Sequence, residues 1–472
     1  MALESWLTKV RSAISTSLDS VRSTMNATDA IAIISRKKAH VGILAFEIAS
    51  LMSKFLHLWR SLSDVQIARL RHETIASQGI RKIVSDDDSF LLSLACAELV
   101  DTLRLIAVSA STTLSSRCTD PCLREFYRIF KEFSDSGHDP HRWVMSWKEM
   151  ESKAKKMDRY VASTAALYKE MEELSEAEHG LRKLLQCGGG CNKNRPASKI
   201  SAIAELQQKI FWQRQEVKYL KQTSLWSCTF DTVLSLLARS SFTVLARIKQ
   251  VFGIGFESHR LPCSLSATVY PSSDATSPPP PASPSKKQQQ CGILESNSAM
   301  LVPPPTTLGA AALALHYANI IIAIEKMIRS PRAVRPDARD DLYNMLPASV
   351  RGILRRRLKG VGGWGSATDT ALAAEWREAL ARIGEWLGPV AHDTVRWQGE
   401  RSFEGRRSAA AVAPRNGVLL LQTLFFANRE KVEAAIAELL VGLNYVWRFE
   451  REMAARAALK HMDSNENKCL EF

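Results

Sequence analysis

The chain lacks the features that mark a membrane-spanning protein or a well-known class of enzyme. Its 472 residues contain no run of about 20 uncharged apolar side chains, so we expect no transmembrane helix. No Walker phosphate loop, no H-E-x-x-H zinc motif and no G-x-S-x-G nucleophile motif occurs. Residues 360–365 match the letters G-x-G-x-x-G, but a predicted helix precedes them where a dinucleotide site needs a strand. We interpret them as a turn and predict that the chain is not an enzyme.

The sequence also lacks a cysteine pattern that would indicate disulfides or zinc. Nine cysteines are an odd number in a chain with no secretory signal, so a disulfide framework is not expected. Cys118/Cys122 and Cys187/Cys191 are spaced more widely than the C-x2-C pairs of zinc sites. We predict no metal, no cofactor and no small-molecule substrate. The N-terminus lacks the apolar core of a signal peptide, which favours an intracellular protein, and Ala2 stands where myristoylation needs glycine.

What the sequence does have is helical periodicity. Residues 40–60, 87–110 and 140–186 place apolar side chains at three- and four-residue steps, whereas no segment alternates as a strand would. We therefore predict an all-α fold. Within residues 140–186 two sets of positions recur every seven residues, which is typical of a coiled-coil seam. Residues 187–196 then force a turn before helical spacing resumes, so the first domain should contain a long antiparallel helical hairpin.

Capping residues and prolines set the predicted helix ends. Asp120-Pro121 and Asp139-Pro140 each have the form of an N-cap followed by a first-turn proline. The hydroxyl of Thr306 or Thr307 should cap a helix that begins at residue 308. Further helices are predicted over residues 308–329, 366–387, 389–403, 416–427 and 429–458.

Proline divides the chain in two. Residues 262–305 hold ten of its 18 prolines, which remove backbone donors and leave few apolar groups to offset the entropy of ordering. We predict a disordered Pro/Ser-rich linker that lets two helical-bundle domains move independently. Ser277 and Ser283 each precede a proline and are candidate phosphorylation sites. The predicted organisation is an amphipathic segment (1–39), an N-terminal helical domain (40–254), the linker (255–306), a C-terminal helical domain (307–458) and a flexible tail (459–472).

The formal net charge of +14 includes a compact basic run in the second domain. Such a patch can bind a nuclear import receptor, a phosphate group or an acidic partner. The alternative is that it is simply a solvated helix face. Its residues are Arg351, Arg355, Arg356, Arg357 and Lys359.

A second basic region, residues 193–249, has ten basic and three acidic residues. It also contains Phe211, Trp212, Tyr219 and Trp226, so it could hold phosphates and stack bases. The alternative is that Phe211, Trp212 and Trp226 fill a buried helix seam. Nearer the N-terminus, residues 3–21 form an amphipathic pattern that suits either a membrane surface or the protein's own core.

Several long strings resemble a known family, the plant PSK SIMULATOR proteins. Residues 42–64 (GILAFEIASLMSKFLHLWRSLSD) and 146–157 (SWKEMESKAKKM) resemble the family's N-terminal domain. Strings similar to its C-terminal domain follow in the expected order, at residues 308–331, 338–351, 391–404 and 419–452. The resemblance implies promotion of plant growth, signalling by the peptide hormone phytosulfokine and a nuclear location. It implies no catalytic or ligand-binding residue, because both domains of the family are of unknown function.

These observations predict a non-enzymatic regulatory adaptor that binds partner proteins. The nucleus is the expected compartment, with the cytoplasm or the membrane periphery as alternatives. Two other hypotheses are kept: a basic nucleic-acid-associated protein, and a peripheral membrane protein that uses residues 3–21.

Overall fold

The structure, a computed structural model, describes residues 40–186, 197–253, 292–330, 335–359, 369–401 and 417–469, and these residues confirm the all-α fold. They contain no strand, only two isolated bridges, His40–Thr229 and Thr307–Asn428. Among the described residues, nine α-helices precede residue 254: α1 (Ala45–Ser61), α2 (Asp64–Arg69), α3 (Gln78–Ile83), α4 (Asp88–Leu114), α5 (Pro121–Arg124), α6 (Phe126–Ser136), α7 (Trp147–Gln186), α8 (Ala197–Thr223) and α9 (Phe230–Phe252). Six follow residue 291: α10 (Ile293–Met300), α11 (Ala314–Arg329), α12 (Pro336–Met345), α13 (Ala348–Lys359), α14 (Thr370–Arg401) and α15 (Arg429–Cys469).

The N-terminal half packs α1, α4, α6, α7 and α9 around one apolar core. Aromatic rings fill its centre: Phe242 of α9 stacks on Phe133 at 4.5 Å and meets Trp143 edge-on at 5.0 Å between ring centroids. Phe242 and Phe133 are fully buried. Such pairs stabilise a core beyond the area that they bury.

Helices α7 and α8 form the predicted antiparallel hairpin. Their pairing is visible in the ion pair between Glu178 and Arg214, and in a shared apolar cluster that contains Leu167, Val217 and Leu220. The turn itself, residues 187–196, lies outside the described residues. Helix α7 starts at Trp147, later than the Asp139-Pro140 signal predicts, because the Asp139 carboxylate accepts from the backbone of Val144 in the preceding loop.

In the C-terminal half, α11 packs against α14 and α15. The sequence predicted a break at Pro389, but α14 is continuous from Thr370 to Arg401. A proline removes the hydrogen bond to the residue four positions earlier, here Glu385. Pro389 and Glu385 are both exposed, so water can reach that carbonyl while the buried Leu387 and Val390 keep the helix packed.

Long-range hydrogen bonds replace two predicted stretches of helix. Residues 308–313 precede α11 as turns, because Leu308 and Gly309 donate their backbone N–H groups to Ala427 and Phe425. A Cβ on Gly309 would lie 2.4 Å from the Phe425 carbonyl oxygen, so the approach needs glycine. In the predicted helix 416–427, the described residues contain only a 3₁₀ turn, Leu420–Gln422.

Part of the predicted linker and tail is helical. Residues 254–291 lie outside the described residues, but α10 forms where sequence analysis placed the end of the linker. It docks on the N-terminal half because Leu294 is buried there and the Ile293 N–H donates to Asp135 at 2.9 Å. At the other end, α15 continues to Cys469, through most of the predicted tail.

The two halves share a core instead of moving independently. Ile83 of α3 is buried among C-terminal side chains, and its carbonyl accepts from the Asn428 N–H at 2.7 Å. The buried Glu98 accepts from the Leu420 N–H at 2.6 Å. A Cβ on Gly79 would lie 2.4 Å from the carbonyl oxygen of Trp386, so α3 and α14 touch backbone to backbone. The prediction that the two halves move independently is therefore wrong, because separating them would expose Ile83 and Glu98 and break these backbone contacts.

Candidate interaction surfaces

The predicted basic residues of 351–359 all lie on α13, but the structure divides them. Val350 and Leu354, four residues apart, are buried against the core, which turns the arginines outward. Arg357 forms an ion pair with Glu438 of α15. Arg355 instead donates from Nε and Nη2 to the Tyr343 hydroxyl, at 3.2 and 2.9 Å. The list is completed by Arg351, whose guanidinium lies 5.9 Å from the Tyr343 ring centroid, and by the exposed Arg356 and Lys359.

Arginines from α12 and α15 extend this patch. The Arg339 guanidinium lies 4.1 Å from the ring centroid of Trp447, and that of Arg451 lies 5.4 Å from it. Arg339 and Tyr343 are four residues apart on α12, which places them on one face of that helix. The arginines around Trp447 and those around Tyr343 therefore form one continuous patch. We call the combined set the arginine surface: Arg339, Arg351, Arg355 and Arg451, with Tyr343 and Trp447. Sequence analysis missed Arg339 and Arg451 because neither belongs to a basic run.

A shallow depression of about 370 Å³ lies beside Trp447. Arg448, Arg451 and Glu452 contribute to its lining. It therefore offers both charge and an aromatic ring to a ligand at the protein surface.

A buried carboxylate holds the helices under the arginine surface in register. Glu433 of α15 accepts through Oε1 from the Tyr317 hydroxyl at 2.6 Å, the Ser349 hydroxyl at 2.7 Å and Arg429 Nε at 2.8 Å. Burial acts to raise the pKa of Glu433, but these hydrogen bonds outweigh it and hold the pKa below its usual value. Burial and then Glu433 raise the pKa of Tyr317 to about 12. Three helices thus meet at one ionised group.

A small apolar groove lies between α11, α14 and α15. Its volume is about 170 Å³, below the several hundred Å³ of typical ligand pockets. Ile321, Leu380 and Leu439 contribute to its lining. At its rim Glu325 lies 2.7 Å from His392 Nε2.

The outer face of α8 exposes three aromatic residues. The side chains of Phe211, Trp212 and Tyr219 are 56%, 62% and 59% exposed. They point away from α7 because Ile210 and Val217 fill the inner stripe. The interpretation of Phe211 and Trp212 as a buried seam is therefore wrong. We call these three residues the hairpin face.

Much of the positive charge in residues 193–249 is neutralised or buried. Arg214 pairs with Glu178, Arg239 with Glu149 and Arg247 with Asp64. Lys249 is buried, and Trp226 is partly buried with the Lys221 amine 4.6 Å from its ring. The region therefore presents less free charge for nucleic acid than its composition indicates.

Other predicted features either fall outside the described residues or show no reactive geometry. Ser277, Ser283 and residues 3–21, 187–196 and 360–368 are outside. Within the described ranges, no group of three or more His, Cys, Asp or Glu side chains could hold a metal ion. Burial raises the pKa values of the Cys96 and Cys118 thiols to about 12, so neither is a ready nucleophile. In the part of the chain that the structure describes, one helical stretch, Gly42–Ser61, has the length and apolarity to span a membrane, but half of it is buried inside the protein, as in a core helix.

Comparisons with known proteins match both halves. Residues 43–99 match a family described as "Domain of unknown function (DUF3475)", and residues 307–396 match "Protein of unknown function (DUF668)". The chain is 27% identical to Protein PSK SIMULATOR 1 of Arabidopsis thaliana over 86% of its own length and 56% of that protein. It is 28% identical to Protein PSK SIMULATOR 3 of the same plant over 88% of its length, and 24% identical to Protein PSK SIMULATOR 2 over 89%. The chain spans 56% to 62% of the length of these three relatives. No solved structure matches it significantly.

Proposed function

We propose that this chain, which belongs to the PSK SIMULATOR family, is a non-enzymatic regulatory adaptor. It promotes plant growth within phytosulfokine signalling and acts by binding partner proteins in the nucleus. The names of the relatives support the signalling role, and the two matched families carry no enzymatic description. The nuclear location rests on the family resemblance.

The hairpin face is the observation that supports an adaptor role most directly. Large aromatic side chains are more frequent in protein–protein interfaces than on the rest of the protein surface, and a group of them on an exposed helix marks a contact site. The Phe211 and Trp212 rings lie 5.5 Å apart at 75°, and Tyr219 is two turns further along the same helix. A partner that covered these three rings would remove considerable apolar surface from water, which favours binding.

The test replaces Phe211, Trp212 and Tyr219 together with alanine in the full chain. Proximity labelling in plant cells should then lose a defined set of neighbours, because the apolar contact is gone. The side chains are exposed, so the unfolding free energy should change by less than about 0.5 kcal/mol each.

A matched control replaces Gln208, Gln215 and Gln222, exposed on the same helix, with alanine. Its neighbours should equal those of the wild type. Unchanged neighbours in the aromatic variant would contradict the proposal. Tight binding to DNA or RNA that falls steeply with salt would favour the nucleic-acid hypothesis instead.

A further inference from the structure

We propose that the arginine surface binds the phosphate group of a phosphorylated segment of a partner protein. This inference rests on the proposed adaptor function, because it takes the ligand to be a protein. It assigns to the C-terminal half a second contact site with its own chemistry, distinct from the hairpin face.

The guanidinium groups of the arginine surface contact aromatic side chains instead of carboxylates. Among the described residues, no Asp or Glu pairs with Arg339, Arg351, Arg355 or Arg451; their contacts are with Tyr343 and Trp447. Two nearby arginines are different. Arg357 pairs with Glu438, and Arg377 with Glu450. Four guanidinium groups therefore keep their positive charge available at one surface.

The aromatic side chains also hold the guanidinium groups in place. Cations near the rings of Trp447 and Tyr343 are attracted by the negative face of each ring, which reduces their freedom before a ligand arrives. Arg355 uses two of its five N–H groups on the Tyr343 hydroxyl and keeps three. Guanidinium forks match the oxygen atoms of phosphate two at a time, so this arrangement favours phosphate over a single point charge.

The arginine surface favours a small anion over a long one. Asp337, Asp340 and Asp341 are exposed on α12, and Glu452 lies beside Arg451 in the depression next to Trp447. Exposed carboxylates on the two helices that carry Arg339 and Arg451 disfavour a long polyanion such as a nucleic-acid backbone. A single phosphate group, which carries about two negative charges, is a compact anion and is less affected by them. Clusters of arginine recognise phosphorylated motifs in other proteins by the same chemistry.

The test measures binding of the full chain to a peptide library. Each member has a central phosphoserine, phosphothreonine or phosphotyrosine, and each has an unphosphorylated counterpart. We expect the wild-type protein to select phosphorylated members. The double variant Arg339→Gln/Arg355→Gln should lose affinity for them by about tenfold or more, because charge-assisted hydrogen bonds are removed.

Two further variants distinguish the paired N–H groups of the guanidinium from its positive charge. Arg357→Gln, on the same helix as Arg355 but paired with Glu438, should bind within about twofold of the wild type, since surface ion pairs contribute little. Arg355→Lys keeps the charge but loses the fork, so its affinity should fall severalfold. Thermal unfolding followed by circular dichroism checks that every variant remains folded.

Three results would overturn the inference. One is equal binding to phosphorylated and unphosphorylated members. Another is unchanged selection in the double variant. The third is tighter, steeply salt-dependent binding to a 20-base-pair DNA or RNA duplex, which would assign the surface to nucleic acid. The hairpin-face variant should still select phosphopeptides. Proximity labelling therefore tests the proposed contact at α8, and the peptide library separately tests the arginine surface.

Discussion

Two buried charged side chains, one from each half of the molecule, have opposite electrostatic environments. Lys249 in the N-terminal half is 4% exposed, and Glu433 in the C-terminal half is 5% exposed. Lys249 donates to the carbonyl oxygens of Ser134 and Phe133 at 2.6 and 3.4 Å. Glu433 accepts from three donors, one of which is the cationic Arg429.

Both pKa values are lowered, but the physical meaning differs. Burial lowers the pKa of Lys249 against the attraction of Asp135, so its charged form is disfavoured. Hydrogen bonds lower the pKa of Glu433 against the effect of burial, so its charged form is favoured. The comparison teaches that the partners, and not the depth of burial, decide whether a buried charge stabilises the fold.

The largest effect is expected when Glu433 is removed. Glu433→Ala leaves the hydroxyls of Tyr317 and Ser349 and the Arg429 guanidinium without their shared acceptor, and should cost about 3 kcal/mol of unfolding free energy. Urea unfolding followed by tryptophan fluorescence measures it. The control Glu438→Ala, on the same helix, removes only a surface ion pair and should cost less than about 1 kcal/mol. Equal costs would remove the distinction between buried and exposed carboxylates.

The contribution of Glu433 should also depend on pH. Because its pKa is lower in the folded state, the stabilisation is present above the unfolded-state pKa of about 4.5 and is lost as pH falls through the folded-state pKa. Each unit of pKa difference corresponds to about 1.4 kcal/mol. The stability difference between the wild type and Glu433→Gln should therefore shrink between pH 7 and pH 3. A difference that stayed constant would contradict the lowered pKa.

A smaller effect is expected from Tyr317→Phe, which removes one of the three donors. The cost should be about 1 kcal/mol at pH 7, because Arg429 and Ser349 still satisfy Glu433. The raised pKa of Tyr317, about 12, means that its contribution is present below pH 10 and is lost as pH rises through 12. Stability curves of the two proteins should converge in that range, and a constant gap would count against the hydrogen bond.

The smallest change is expected at Lys249. Lys249→Met replaces a disfavoured charge with an apolar side chain of similar length, so the unfolding free energy should change by less than about 1 kcal/mol at pH 7. The wild type should gain stability relative to this variant as pH rises through the lowered pKa of Lys249, because the neutral amine is easier to bury. A loss above about 2 kcal/mol would show that the bonds to Phe133 and Ser134 outweigh desolvation.

Local signals in the sequence predicted the features that depend on neighbouring residues. Asp120 caps α5 as expected, and α4 begins at Asp88, within one residue of the predicted start, with the Asp87 carboxylate accepting from the Ser89 N–H at 2.9 Å. The hairpin followed from apolar spacing on both sides of a glycine-rich turn. The start of α11 and the loop before α15 could not be predicted, because backbone hydrogen bonds between residues 308–309 and 425–427 determine them.

The arginine surface was only half visible in the sequence. The run on α13 is apparent from its letters, but no local pattern shows that Arg357 meets Glu438 whereas Arg355 meets Tyr343. The available signal for the rest was weak: Arg339 stands four residues before Tyr343, and Arg451 four residues after Trp447. Such pairs share a helix face but do not reveal which other helix they meet.

By itself, the sequence determined that this protein is built of helices, where its long hairpin lies and which segments are basic, because spacing and capping act over a few residues. Only the tertiary structure decided that the two halves share a core and which arginines have no carboxylate partner. It also decided that hydrogen bonds favour the charged form of Glu433, whereas burial disfavours the charged form of Lys249. Those outcomes depend on contacts between residues far apart in the chain, such as Glu98 and Leu420, and hydrogen bonds and charges act only where folding brings their partners within a few ångströms.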